Sequence, residues 1–392
     1  MTIAFFSNFL NHHQALVADE LYRQTNGNYT FVETIPMPEW IVKSGYPDYS
    51  EKPYLFQAWK SEEAMKMAWQ LAFDVDVALF AGFEVLEFEK YRISSTDKIT
   101  FDVSERWLKR GMLNILSPRI LRLYHAYKKG GWERKPVYKL CSSAFAADDH
   151  YRLNMYIGKC FKWGYFTDVS LEDPDFKFQV VSSTSTNPTQ KSTSCDPVMM
   201  MWCARFLWWK HPELPIKLAE SLQRQGYSFH IDMFGTGEKL EEMKALATKL
   251  GVNNVLTFHG NKANADILQE MRKHDIFLFT SDKNEGWGAV ANEAMSQGCA
   301  LVGADAIGSV PYLITDNSNG LIFKSCDFKS FEQKVIQLLE NAEYRYTLSR
   351  NGIKTMKEVW SPQNAARSLL RLISDLQNNS KPSVIQGPCS KA

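Results

Sequence analysis

The sequence predicts an α/β chain of two Rossmann-like lobes in series, and three observations point to it. Short apolar runs alternate with helical patterns through the first third. A polar, β-branched, Pro-containing stretch at 182–194 (SSTSTNPTQKSTS) then breaks the pattern, and a second, cleaner β–α series follows it. Alternation of this kind builds parallel sheets covered by helices on both faces. At 392 residues the chain is long enough for two cores.

Taken in order, residues 3–7 read as a buried strand, 12–23 as a helix and 29–34 as a second strand. Residues 62–73 are helical, and 75–81 and 98–103 are strands. In the second half, 198–203, 228–234, 255–258, 276–280, 300–303 and 320–324 read as strands. Helices are expected at 212–225, 238–250 (ended by Gly251), 263–273, 289–297, 328–341 and 343–359. Ser361-Pro362, a capping residue followed by proline at the first helical position, opens a last helix. The expected organisation is an N-terminal lobe at 1–170, a linker or mobile loop at 171–195 and a C-terminal lobe at 196–360. A returning helix at 361–377 and a disordered Ser/Pro/Lys-rich tail at 378–392 complete it.

Apolar residues make up 45% and charged residues 23%, and the formal charge is +1, so no global field recruits nucleic acid. The seven cysteines are scattered, odd in number and never CxxC, which argues against a disulfide framework or zinc site and for a reducing cytosol. The first residues lack a basic stretch ahead of an apolar one, so no signal peptide is expected. No apolar run reaches the roughly 18 residues of a spanning helix. A cytoplasmic protein is expected, soluble or peripheral on the inner face of a membrane.

Chemistry concentrates in SDKNEGWGAVANEAMSQG, residues 281–298. Glu285 and Glu293 are separated by seven residues, and Gly286, Trp287 and Gly288 form a turn between an apolar strand and a helix. Such a succession leaves amides free for an anion at the carboxyl edge of the sheet. Glu285 precedes the helix and Glu293 lies one to two turns inside it, so both are placed to face one ligand. A carboxylate accepts two hydrogen bonds from a vicinal diol. Arg205 and Lys210 follow the strand 198–203. Two cations at a strand end meet the need of a departing diphosphate, whose developing charge they neutralise without Mg²⁺. Gly235-Thr236-Gly237 and His259-Gly260-Asn261 each follow a strand on the same predicted edge, as candidate base and phosphate loops. Any one of these features alone also fits ordinary surface charge or turn chemistry.

Together they resemble the retaining glycosyltransferases of the GT-B fold, the group called family 4. The resemblance rests on Arg205-x4-Lys210, Gly235/Gly237, Phe258-His259-Gly260, and Glu285-x7-Glu293 ahead of EAMSQG, in that order. It covers about the third of the chain from 198 to 325. It implies two Rossmann-like lobes facing a cleft, with a C-terminal helix crossing back to the first lobe. It also implies Arg205, Lys210 and Glu285 at the reacting centre, with the cations on the diphosphate and Glu293 on the ribose. The activity implied is transfer of a hexose-type sugar, with retention and without a metal, from a UDP- or GDP-linked donor to a saccharide or lipid-linked acceptor. Surface-polysaccharide or glycolipid assembly is the setting implied.

The N-terminal half departs from that pattern. Where the family commonly has a Gly-Gly loop, this chain reads Asn8-Phe9-Leu10-Asn11-His12-His13-Gln14. His12 and His13 are either acceptor ligands or capping residues, and Glu105 and Arg106 are either acceptor ligands or an internal ion pair. Asp74-Val75-Asp76 reads as a helix-to-strand junction rather than a metal-binding DxD, and Asp148-Asp149 as a helix N-cap. Residues 109–135 carry eight Lys/Arg and one Glu among apolar residues. This is either a core-facing helix with a basic outer side or a surface for an anionic membrane. A non-catalytic sugar-binding or partner-stabilising subunit and a nucleotide-sugar epimerase are the alternative functions.

Overall fold

The computed structural model describes residues 1–39, 47–109, 111–169 and 196–392. The linker expected at 171–195 therefore lies outside the described residues. The chain forms two compact units, Met1–Thr167 with Val359–Ala392, and Asp168–Glu358.

In the first unit β1 (Ile3–Ser7) is buried along its whole length and leads into α1 (His12–Gln24), followed by β2 (Tyr29–Glu33), β3 (Leu55–Gln57) and α2 (Glu62–Asp74). Next come β4 (Val77–Ala81), α3 (Leu86–Ser95), β5 (Thr100–Ser104), a 3-10 turn (Gly111–Leu116) and α4 (Pro118–Lys129). β6 (Val137–Cys141), α5 (Ala146–Arg152) and β7 (Cys160–Lys162) end the first pass. The described strands pair in parallel in the order β3-β2-β1-β4-β5-β6-β7.

The second unit runs β8 (Val198–Cys203), a 3-10 turn (Trp208–Lys210), α6 (Glu213–Arg224), β9 (Phe229–Phe234), α7 (Leu240–Leu250), β10 (Leu256–Gly260), α8 (Asn264–Lys273) and β11 (Ile276–Phe279). It continues through α9 (Val290–Ser296), β12 (Ala300–Ala304), α10 (Val310–Leu313), β13 (Leu321–Phe323), α11 (Phe328–Glu340) and α12 (Ala342–Glu358). Its strand order, β10-β9-β8-β11-β12-β13, repeats the first unit's arrangement around a central opening strand. Sheets wound in this way reverse direction beside that strand, and the carboxyl-end crevice there is where they bind ligands. The crevice falls between β1 and β4 in one unit and between β8 and β11 in the other.

Ser361 caps α13 (Pro362–Gln377) by accepting from the Asn364 amide at 3.2 Å, and α13 packs against α1 within the first unit. The helix thus returns to the N-terminal lobe. The tail corrects its expectation of disorder. The Cys389 amide donates to Lys162 O at 2.7 Å, the Lys162 amide to Ser390 O at 2.8 Å, and Cys389 is fully buried. The physical reason is the edge strand β7, whose unpaired amides and carbonyls find partners in the tail. Polar composition does not report that pairing.

The junction at 74–76 is as read: α2 ends at Asp74, and Asp76 accepts from the Thr2 amide at 2.7 Å. Arg92, fully buried, ties the junction down by donating to the carbonyls of Ala72, Val75, Asp76 and Ile99. Asp148 and Asp149 lie in the first turn of α5 and do not cap it; that position is Phe145.

Candidate functional site

In the second unit the adjacency of β8 and β11 brings together residues far apart in sequence. The Thr280 hydroxyl donates to Lys210 O at 2.7 Å and the Asp282 amide to Trp209 O at 2.9 Å. These bonds fix the turn after β8 against the turn after β11. Lys210 Nζ is ion-paired with the Glu285 carboxylate, and the Ser281 hydroxyl donates to the same carboxylate at 3.0 Å. Arg205, in the same turn as Lys210, is exposed, and among the described residues it has no carboxylate partner. The site therefore offers one free cation and one held in reserve by a carboxylate.

The glycines have identifiable work. Gly235 has φ +124° and a Cβ there would sit 2.1 Å from Ala204 O, while one on Gly237 would sit 2.6 Å from Phe206 O. The GxG turn after β9 thus presses backbone to backbone on the Arg205 turn, and the Phe206 amide donates to Thr236 O at 2.9 Å. The Gly235 amide donates to Gly260 O at 2.7 Å, linking the third loop, where Asn261 is exposed. Gly288 has φ +81° and no room for a Cβ beside the Phe279 ring. Gly286 is buried. Trp287, expected to touch substrate, is fully buried, and its indole N–H donates to Asn292 Oδ1 at 2.9 Å. Its ring is too large and apolar to stay outside the packed face of α9, so it anchors the turn.

Glu293 lies in the first turn of α9, closer to the helix start than expected. It is buried and accepts from Asn264 Nδ2 at 3.0 Å. Burial, only partly offset by that bond, pushes its carboxyl up to about 7. Sequence reading missed Asn264, and it missed that the buried Asp232 joins the exposed His259 to the buried His274. Asp232 Oδ1 meets His259 Nε2 at 2.6 Å and Oδ2 meets His274 Nε2 at 2.9 Å. These bonds outweigh burial and hold Asp232 down to about 2. Its partners are 27 and 42 residues away, so no local signal marks them.

The first unit's crevice carries different groups. Asn11, not either histidine, caps α1 by accepting from the His13 and Gln14 amides. His12 and His13 instead line a cavity of about 460 Å³ with Asn8, Ser104, Glu105 and Tyr165. The His13 ring stacks on Tyr165, its Nδ1 is buried without a hydrogen-bond partner among the described residues, and burial, with His12 beside it, pushes it down to about 3. The Tyr165 hydroxyl donates to Glu105 at 2.8 Å. Arg106 is turned away into an ion pair with Asp149 at 3.3 Å and stacks on Phe145. Of the two residues after β5, Glu105 lines the cavity and Arg106 supports the loop.

Two Rossmann-like units, each with its crevice beside the opening strand, and a last helix returned to the first unit constitute the GT-B fold. Residues 186–355 match the family described as glycosyl transferases group 1. A stretch of 130 residues is 26% identical to the uncharacterized glycosyltransferase MJ1178 of Methanocaldococcus jannaschii, covering 33% of this chain and 36% of that protein. Another, of 134 residues, is 29% identical to the poly(glycerol-phosphate) alpha-glucosyltransferase of Bacillus subtilis, covering 34% of this chain and 19% of that protein. The crystal structure of Anabaena Alr3699/HepE in complex with UDP superposes with a TM-score of 0.70 at 15% identity, over 96% of this chain and 100% of that one.

Proposed function

We propose that this protein is a retaining glycosyltransferase moving a hexose-type sugar from a UDP- or GDP-linked donor to a saccharide or lipid-linked acceptor. Its setting is surface-polysaccharide or glycolipid assembly. The observation that carries the reading is the convergence of Arg205, Lys210 and Glu285 at the crevice of the second unit. The group 1 match supports it. So do the complexes of HepE with UDP and with UDP-glucose, and relatives named as a poly(glycerol-phosphate) alpha-glucosyltransferase and a lipopolysaccharide core biosynthesis glycosyltransferase.

In this reading the donor diphosphate takes Glu285's place as the partner of Lys210, and Arg205 closes on its other side. The carboxylate released from Lys210 turns to the hydroxyls of the transferred sugar. As the bond from the anomeric carbon to the phosphate oxygen breaks, an acceptor hydroxyl bonds to that carbon and gives its proton to the departing phosphate, whose remaining charge the two cations take up. Retention follows from the family resemblance. Glu293, with Asn264, receives the ribose diol. No divalent metal is required, and turnover is expected to persist in EDTA.

The test is turnover of UDP-glucose and GDP-mannose by wild type, Arg205→Ala, Lys210→Ala and Glu285→Ala. Loss of about 10²–10³-fold in kcat is expected for either cation. Turnover unchanged in both would sink the assignment, and no turnover in the wild type would favour a sugar-binding subunit.

Among the described residues no helix is long and apolar enough to cross a membrane. The 109–135 segment is divided: Ile120 and Tyr127 of α4 face the core, whereas Leu113 and Leu116 of the preceding 3-10 turn are 74% and 73% exposed. Exposed leucines ahead of a helix that carries Arg119, Arg122, Lys128 and Lys129, with Arg122 paired to Glu87, suit insertion into an anionic leaflet, each basic group near the surface adding about 1 kcal/mol. Flotation with anionic vesicles is expected for wild type and not for Leu113→Asp/Leu116→Asp; equal recovery on neutral vesicles contradicts it.

A further inference from the structure

We propose that Asp232, inside β9, is a positioning residue for the nucleoside half of the donor, acting through the segment from His259 to His274. The inference rests on the transferase reading above and adds to it a residue that works at one remove from the ligand. Asp232 is 9% exposed, and a lone carboxylate so deep in a strand is costly. Two imidazoles answer it, His259 through Oδ1 and His274 through Oδ2. A carboxylate only accepts, so each ring donates its Nε2–H. His230, with Nε2 at 3.4 Å from Oδ1, bonds more closely to the Thr257 hydroxyl, at 2.9 Å.

The two histidines are the ends of one segment. His259 lies at the end of β10, and His274 directly follows α8. One carboxylate therefore pins both ends of a stretch that carries Asn261 and Asn264, and Asn264 donates to Glu293, the ribose residue, at 3.0 Å. The neighbouring contacts hold the same segment. The His259 ring stacks on Phe234 at 4.5 Å, and Lys262 Nζ lies over that Phe234 ring at 5.1 Å. Glu270 O lies 2.7 Å from His274 Nδ1, so this ring is held at both nitrogens. Phe234 pairs in register with Cys203. Burial pushes the Cys203 thiol up to about 12, with Glu293 adding to the rise and Lys210 opposing it, which sets the clamp beside the donor crevice. Apolar residues of similar volume can often replace a buried ionic network without loss of stability, so what the network supplies here is a fixed arrangement. Arg205, Lys210 and Glu285 stand on the turns after β8 and β11, outside the clamped segment.

The experiment is titration calorimetry of uridine, UDP, guanosine and GDP on the full chain, with a melting curve for each variant. Asp232→Leu removes both bonds. His259→Phe, at an exposed position, keeps a ring on Phe234 but loses its bond to Asp232. Asp232→Asn restores both, because its side-chain amide accepts from one imidazole and donates to the other. For the base that fits, Asp232→Leu and His259→Phe are expected to bind the nucleoside about tenfold more weakly, the worth of one or two hydrogen bonds. The ratio of diphosphate to nucleoside affinity is expected to stay at its wild-type value, and Asp232→Asn to recover the nucleoside affinity. A loosened fold would instead lower that ratio and the nucleoside affinity together, which overturns the proposal. Unchanged nucleoside binding by His259→Phe overturns it too, and decides alone if Asp232→Leu does not fold. Wild type that binds neither UDP nor GDP strikes the transferase reading and this inference with it. Wild type that binds, with variants that bind equally well, strikes this inference and leaves that reading standing.

Discussion

The two units wind their sheets in the same order about their opening strand, yet the crevices beside that strand hold opposite kinds of chemistry. Between β8 and β11 lie Arg205, Lys210 and Glu285, held by backbone bonds that leave the turns almost no freedom. Beside β1 and β4 lie two neutral-leaning histidines and a His13–Tyr165 stack, with a second cavity lined by Glu89, Asp102 and Glu105 next to them. The lesson is that the fold supplies the place and the strand-end residues supply the ligand class. Fixed charge suits a diphosphate, while uncharged donors and aromatic faces suit a sugar.

Perturbing each crevice in turn sharpens that contrast. The largest effect is expected from Lys210→Ala, a kcat loss of about 10²–10³-fold with sugar binding by the first unit unchanged. Gly235→Ala places a Cβ against Ala204 O. It is expected to destabilise by about 3 kcal/mol and to weaken donor affinity by displacing Arg205, both visible in denaturant melts with and without UDP.

Glu293 gives a pH signature. Its folded carboxyl titrates near 7, above the unfolded value, so the neutral form is favoured by folding. That advantage is complete below about pH 4 and is lost as pH rises through 7, at ~1.4 kcal/mol per unit. Glu293→Gln is therefore expected to match wild type at pH 4 and to exceed it by about 3 kcal/mol at pH 8. Urea unfolding at both values checks this, and identical curves contradict it. The smallest effect is expected from His13→Ala, about a tenfold rise in acceptor KM from lost stacking and one polar contact, with donor KM unmoved.

Much of this was legible in the sequence where burial and hydrophobicity coincide. The strand Val198–Cys203 reads to the residue, and Ser361-Pro362 marks the start of α13 because a cap and a proline act locally. Elements were missed where charges are buried. α3 hides Glu89 and Arg92 in the core and β6 hides Lys139, so neither shows the expected periodicity. At the site, the order of Arg205, Lys210 and Glu285 marked them as candidates, but not that Lys210 and Glu285 would be paired. That pairing depends on β8 lying next to β11, a matter of strand order. Trp287 misled for a simple reason: an aromatic in a glycine turn looks like a ligand wall until its burial is seen.

Titration calorimetry of UDP against uridine, and GDP against guanosine, tests the diphosphate site most directly. For the base that fits, the diphosphate is predicted to bind wild type about 100-fold tighter than its nucleoside, a difference of about 2.7 kcal/mol. In Arg205→Ala/Lys210→Ala most of that margin should vanish while nucleoside affinity stays. A double variant that keeps the full preference for the diphosphate would contradict the account.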